Sequence, residues 1–326
     1  MKRWRAGEWS ECGGDADGGR GRSCQAGVAL VTALLIVALA TTVSVALFSA
    51  QRVDIRRVDN QMGFDRSRLF ALAGESWAMG ILRKDREQGG RDDRTEDWAQ
   101  VLPPMPVQGG MVSGRLVDLQ GRFNLNNLVK DKQPDALVLA RFQCLLQSLG
   151  LDPTLAHGVV DWIDADTVPA GGGGAENDFY LGKNPPYRSA GMPMTSVSEL
   201  RLVAGFEPAV YARLAPFVAA LPPGTPLNVN TASAEVLGCL AEGLSLVEGE
   251  TLYKDATEEG FASVQVFLEH PALAGREVSG EGLTVGSQWF RAEIRAEVGR
   301  GRVLMFTDFR RPDQRVEVIS RGFGAI

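Results

Sequence analysis

The chain reads as an α+β protein in which a long N-terminal helix packs on a small antiparallel sheet and a large all-helical insertion interrupts that sheet. Three patterns predict this. The run from Val28 to Ala50 holds no ionisable residue and passes straight into an amphipathic segment. Near the C-terminus, Phe290, Ala292, Ile294, Ala296 and Val298 alternate strictly with charged residues, the period-two signature of a half-buried strand. Between them, from near Asp131 to near Gly280, the apolar residues recur at helical spacing.

The uncharged run is long enough to span a bilayer, whose core of roughly 30 Å needs about 20 apolar residues at the helical rise. A cleaved secretory signal would have a shorter apolar core with its cut site after it. Here the plausible cut, Gly27-Val28, lies before the core, so the helix is expected to remain in the mature chain. Residues 1–27 form a leader of Gly, Asp, Ser and Arg with too little apolar content to order. Its Cys24 follows Arg22-Ser23 with no apolar run ahead of it, which argues against a lipoprotein. Five basic and four acidic residues in the leader face Arg52, Arg56 and Arg57 beyond the span, so charge bias leaves the topology open.

From Arg52 to Lys84 the positions Ile55, Val58, Met62, Leu69, Ala73, Trp77 and Ile81 recur every three or four residues, and this stripe is expected to lie on the sheet. Gly89-Gly90 ends the helix, and Pro103, Pro104 and Pro106 read as a stiff linker. Met111 to Leu119 reads as a strand; Val303 to Phe309 and Arg315 to Ser320 supply two more after the turn at Gly299-Arg300-Gly301. In the insertion, helices are expected after Pro134 and over Leu155 to Ile163, Val197 to Leu202, Tyr211 to Leu221 and Ala234 to Leu240.

A polar leader ending in Gly, followed by an apolar helix continuous with an amphipathic one, resembles the N-terminus of type IV pilins and type II secretion pseudopilins. An ordinary signal anchor is the alternative reading of that segment alone. The resemblance implies that an inner-membrane prepilin peptidase cuts between Gly27 and Val28 and methylates the amine of Val28. It also shows a departure: Thr32 stands where most members carry Glu, a buried carboxylate held to pair with a neighbouring subunit's amine. The minor pseudopilin K family of the general secretion pathway lacks that Glu. The strings DLQGRFNLNNLV (118–129), DWIDAD (161–166), GGAENDFYLGKNPPYRSAG (173–191), SVSELRLVAGF (196–206) and LPPGTPLNVNTASAEVL (221–237) are similar to that family, as is the helical insertion itself. The implied organisation is a leader at 1–27, a transmembrane helix at 28–50, and a pilin-like domain begun at 51–130 and completed by strands at 281–326. An inserted domain of helix-hairpin-helix or SAM type occupies 131–280. The implied role is the tip of the periplasmic pseudopilus, in a heterotrimer with other minor pseudopilins, helping to start its assembly, with secreted exoproteins as further partners. The implied location is the inner membrane, single-pass, with the bulk of the chain in the periplasm. A type IV pilus minor pilin for adhesion or DNA uptake is the alternative, and a signal-anchored periplasmic binding protein is a third reading.

The net charge is −6, and loss of the leader makes it −7, which argues against nucleic acid as a partner. Enzyme readings find no motif: His157 and His270 stand apart, and a solvated pair or cap explains the spacing of His157 and Asp161. NVNTASAEVLGCL at 228–240 looks like the first half of a helix-hairpin-helix element whose second half is not expected, the following residues being acidic. Cys144 and Cys239 could bond in an oxidising envelope or stay as small apolar residues.

The densest chemistry is the acidic loop in which Asp161, Asp164 and Asp166 precede Gly171 to Gly174, and Glu176, Asn177 and Asp178 follow. Oxygen donors on a loop that can wrap suit Ca²⁺, and the lack of nearby His or Cys disfavours zinc; a solvated loop with helix-capping Asp residues is the alternative. The family resemblance implies calcium, with Asp164, Asp166, Glu176 and Asp178 as ligands and Asp161 and Asn177 as further candidates.

Overall fold

The computed structural model describes residues 23–313 and 315–324. Most of the expected leader, including Cys12, lies outside the described residues. Helix α1 runs from Ser23 to Gln88, so it begins ahead of Gly27 and carries both the apolar run and the amphipathic segment. It is long and apolar enough to cross a membrane. The chain divides into two units, Met1–Gln61 and Met62–Ile326. In the first, Thr32 is exposed and its hydroxyl donates to the carbonyls of Val28 and Ala29, both at 3.0 Å.

The second unit holds a five-stranded antiparallel sheet: β1 (Leu102–Val107), β2 (Gly110–Asp118), β3 (Trp289–Val298), β4 (Gly301–Arg310) and β5 (Glu317–Phe323), neighbours in that order. The alternation read at 290–298 aims Phe290, Ala292, Ile294 and Ala296 into one core, and Val298 at the end of the strand is buried as well. The register sets Ile294 opposite both Gly114 and Met305.

The helix covers that core with a different face from the one expected. Gly63, Ser67, Ala71, Ala78 and Leu82 are buried, whereas Ile55, Val58, Met62, Leu69, Ala73 and Trp77 are exposed and Ile81 alone of the expected stripe packs on the core. Close approach is the reason. A Cβ on Gly301 would sit 2.2 Å from the Gly63 carbonyl carbon, and one on Gly74 would sit 3.0 Å from Ile294 Cγ2. Bulky side chains would hold the helix off the sheet, so the small residues face inward and the large ones are left over. The proline segment is also not a linker. It forms β1, where Met105 pairs with Val112 and Pro106 with Met111; an edge strand tolerates missing donors.

Between β2 and β3 the chain builds the helical region: α2 (Ala136–Ser148), α3 (Leu155–Ile163), α4 (Asn177–Leu181), α5 (Pro208–Leu214), α6 (Ala234–Leu237), α7 (Leu246–Glu258) and α8 (Val264–Leu268). Val197–Leu202 is a 3-10 helix started by a capping box between Ser196 and Glu199. The helix expected to Leu221 stops at Leu214, where a 3-10 turn containing Pro216 leads to the strand pair Val218–Ala219 and Phe123–Asn124. The second half of the hairpin element does follow. Ser245 and Glu248 cap α7, and a Cβ on Gly249 would meet the Ala234 carbonyl at 2.4 Å, so this glycine lets α7 pack on α6.

Buried polar groups join this region to the sheet. Arg311, 1% exposed, donates to Asp85 at 2.6 Å, to Asp92, and to the carbonyls of Leu82 and Ser287, with the Phe290 ring 4.6 Å away. Asp118 accepts from Ser287 and Thr231, each at 2.6 Å, and from Asn228 at 3.0 Å. Burial raises the Asp118 carboxyl to about 6 against these bonds. Arg94 binds the carbonyls of Asn230, Thr231 and Ala232. The clamp is continuous from the end of α1 to the loop before α6.

Candidate metal centre

Helix α3 has apolar residues on most of its surface and sinks into the helical core. This buries Asp161 in its last turn and Asp164 at its C-cap. The chain then loops back and places Glu176, also buried, at the N-cap of α4. The loop passes close beneath α3: a Cβ on Gly174 would stand 2.4 Å from Asp161 Oδ2, and one on Gly173 2.4 Å from the Thr154 carbonyl. Gly171, at φ 126°, takes a backbone conformation other residues rarely adopt.

Oxygens of Asp164, Asp166 and Glu176 converge within 4.8 Å of one another. Asp161 Oδ1 accepts from the Ala170 amide at 2.9 Å. Asp161 Oδ2, Asp164 Oδ1 and both Glu176 carboxyl oxygens are buried without a hydrogen-bond partner. Burial, followed by the neighbouring Asp166 and Asp161, pushes the Asp164 carboxyl up to about 6. Burial, followed by Asp161 and Asp164, pushes Glu176 to about 7. Asp161 is raised mainly by burial. Orphaned buried carboxylate oxygens at this spacing need a proton or a cation. An all-oxygen donor set fits a hard divalent ion, and backbone carbonyls of the loop could complete it.

Of the expected ligands, the fold therefore unites Asp164, Asp166 and Glu176, while Asp161 is buried outside that group with one oxygen unpartnered. Asp178 is exposed in the first turn of α4 and stands outside the group. Asn177 spends its side-chain oxygen on Ser189, accepting from the amide at 3.2 Å. A second acidic group, Asp85, Asp92 and Glu96, already has its cation in Arg311.

The remaining singled-out residues have structural positions. Cys144 on α2 and Cys239 just past α6 form a disulfide with Cα atoms 5.6 Å apart. His270 bonds Asp255 at 2.9 Å and caps the turn at Ala272. His157 Nε2 lies 3.4 Å from Gln143. Arg122, which the linear reading passed over inside DLQGRFNLNNLV, lines a cleft between the sheet and the helical region; its being the one basic residue in that string is the signal that could have found it.

Two family profiles, both described as type II secretion system (T2SS), protein K, match residues 121–223 and 227–286. The type II secretion system protein K of Pseudomonas aeruginosa is 38% identical over 315 residues, covering 93% of this chain and 94% of that protein. The protein of that name from Pectobacterium carotovorum is 30% identical over 325 residues, covering 93% and 98%. Among solved structures, a chain in the crystal structure of the GspK-GspI-GspJ complex from the enterotoxigenic Escherichia coli type 2 secretion system superposes with a TM-score of 0.74. It is 24% identical and covers 83% of this chain and 100% of that one.

Proposed function

Because the chain belongs to the type II secretion system protein K family, we propose that it serves that system as a minor pseudopilin at the tip of the periplasmic pseudopilus. It acts through protein contacts and not catalysis, and helps start assembly of the filament for protein export. The observation that carries the tip position is the helical region joined between the paired strands β2 and β3. A body of that bulk on the sheet of every subunit would block the repeated stacking of a shaft. Thr32 supports the same position, because it brings no carboxylate to pair with a neighbour's amine.

Contacts with other minor pseudopilins fall to the exposed face of α1 at Met62, Leu69 and Trp77 and to the sheet edge; unpartnered apolar faces mark association sites. That the GspK chain of similar fold was crystallised with GspI and GspJ supports two such partners. The apolar part of α1 anchors the chain in the inner membrane, and prepilin peptidase cuts Gly27-Val28 and methylates Val28. Calcium sits among Asp164, Asp166 and Glu176, with Asp161 beside them. Membership of the secretion family favours this role over that of a type IV minor pilin.

Immunogold labelling of assembled pseudopili tests the position. Label is expected at one end of each filament, and label along the length would overturn the reading. Mass spectrometry of the membrane-extracted chain should find Val28 as the methylated N-terminus.

A further inference from the structure

The face of the sheet turned away from α1 does not lie flat against the helical region. Between them is a cleft of about 660 Å³, with Trp289 and Phe306 on the sheet side and Ser196, Arg201 and Tyr211 on the helical side. One margin follows residues 319–324, the last part of β5 and the residue after it. Strand β5 ends the sheet, so among the described residues one row of its amides and carbonyls faces no strand. The strand contains no proline and Ile319 is 51% exposed. Such an edge is a template for another strand.

The electrostatics of the cleft run against those of the chain. With a net charge of −6 overall, the cleft is lined by Arg122, Arg201, Arg291 and Arg321, and among the described residues its acidic lining is Asp308. Arg291 holds Asp308 at 2.6 and 2.9 Å, and Arg321 is taken by Glu75 at 2.6 and 2.8 Å. Among the described residues neither Arg122 nor Arg201 forms a salt bridge, and Glu293 and Asp118 act on Arg122 only from beyond bonding distance; Arg201 lies 5.8 Å from the Tyr211 ring. Burial lowers the pKa of Arg122, and the neighbouring Arg291 lowers it further. A half-buried guanidinium without a directly bonded carboxylate is costly, and an incoming carboxylate would offset that cost with a bidentate bond.

We propose that this cleft receives an extended acidic segment of a partner protein, which pairs with the free edge of β5 and sets its carboxylates on Arg122 and Arg201. The period of a strand puts alternate side chains on one face. Acidic residues alternating with apolar ones can therefore meet the arginines while the chain pairs along β5. The proposal does not rest on the filament-tip position.

The test uses the full chain in detergent and a fluorescent peptide, Val-Glu repeated three times, followed by anisotropy. The expected result is saturable binding that weakens with salt, falls about tenfold in Arg122→Ala and in Arg201→Ala, and is partly kept in Arg122→Lys. A Val-Lys repeat should not bind, and N-methylation of the Val-Glu backbone should abolish binding. Should Arg122→Ala fail to fold, the exposed Arg201→Ala carries the comparison. The proposal is overturned by absence of saturable binding, equal binding of the Val-Lys peptide, an affinity unchanged by both substitutions, full binding of the N-methylated peptide, or self-association of the chain that displaces the probe.

Discussion

Removing calcium should destabilise the helical region in a way that depends on pH, and the acidic group sets both sign and size. Asp164 and Glu176 stand at about 6 and about 7 in the fold, above their ordinary values of 3.8 and 4.5. A carboxyl whose folded pKa is raised binds more protons folded than unfolded between the two values, so stability falls as pH rises through that window. Here the window runs from about 4 to about 7. Each group taken alone would cost about 3 kcal/mol above it. The two titrate together and the exposed Asp166 admits solvent screening, so about 1–3 kcal/mol for the set is the working figure. In the proposed reading calcium would take the place of the protons. At about 100 times its dissociation constant it should add roughly 2.7 kcal/mol. The assay is thermal unfolding of the full chain in detergent, with calcium or chelator, from pH 4 to pH 8. With chelator the midpoint should fall as pH rises; with calcium it should not. Glu176→Gln should raise the midpoint in chelator at pH 8 and weaken the calcium response. A wild-type midpoint indifferent to chelation across that range would refute the reasoning and leave the loop as a solvated linker.

Four further outcomes follow from the packing. Arg311→Met leaves Asp85 and Asp92 buried without their cation and should cost about 3–5 kcal/mol in urea unfolding. Gly301→Ala should cost about 1–3 kcal/mol by driving a methyl into the Gly63 backbone. Gly80→Ala, with nothing within 4 Å of the new methyl, should be neutral or stabilise by about 0.5–1 kcal/mol, and equal effects at the two sites would refute the close-approach account. Reduction of Cys144–Cys239, which closes a loop with a sequence separation of 95, should lower stability by about 2–5 kcal/mol in the same assay.

The linear chain carried its strongest statements where one physical constraint acts on consecutive residues. An uncharged run the length of a bilayer, the strict alternation of 290–298, and helix α3 from Leu155 to Ile163 were all legible because burial repeats at a fixed period. The acidic loop was legible as oxygen-rich chemistry, since Asp161, Asp164, Asp166 and Glu176 lie close in the chain. Other decisions belong to residues far apart. Which face of α1 meets the sheet depended on Gly63 touching Gly301, a contact no local pattern encodes, and hydrophobicity alone chose the wrong face. Proline at 103, 104 and 106 meant a linker by local rule and an edge strand once β2 was there to accept it. Asp164, Asp166 and Glu176 converge while Asp178 stays exposed on α4, because the path of the loop back from α3, not spacing along the chain, decides which carboxylates meet. The sequence by itself thus determined the elements and the kind of chemistry; only the tertiary structure decided facing, pairing and which charges are buried, because those follow from distances between segments that lie far apart in the chain.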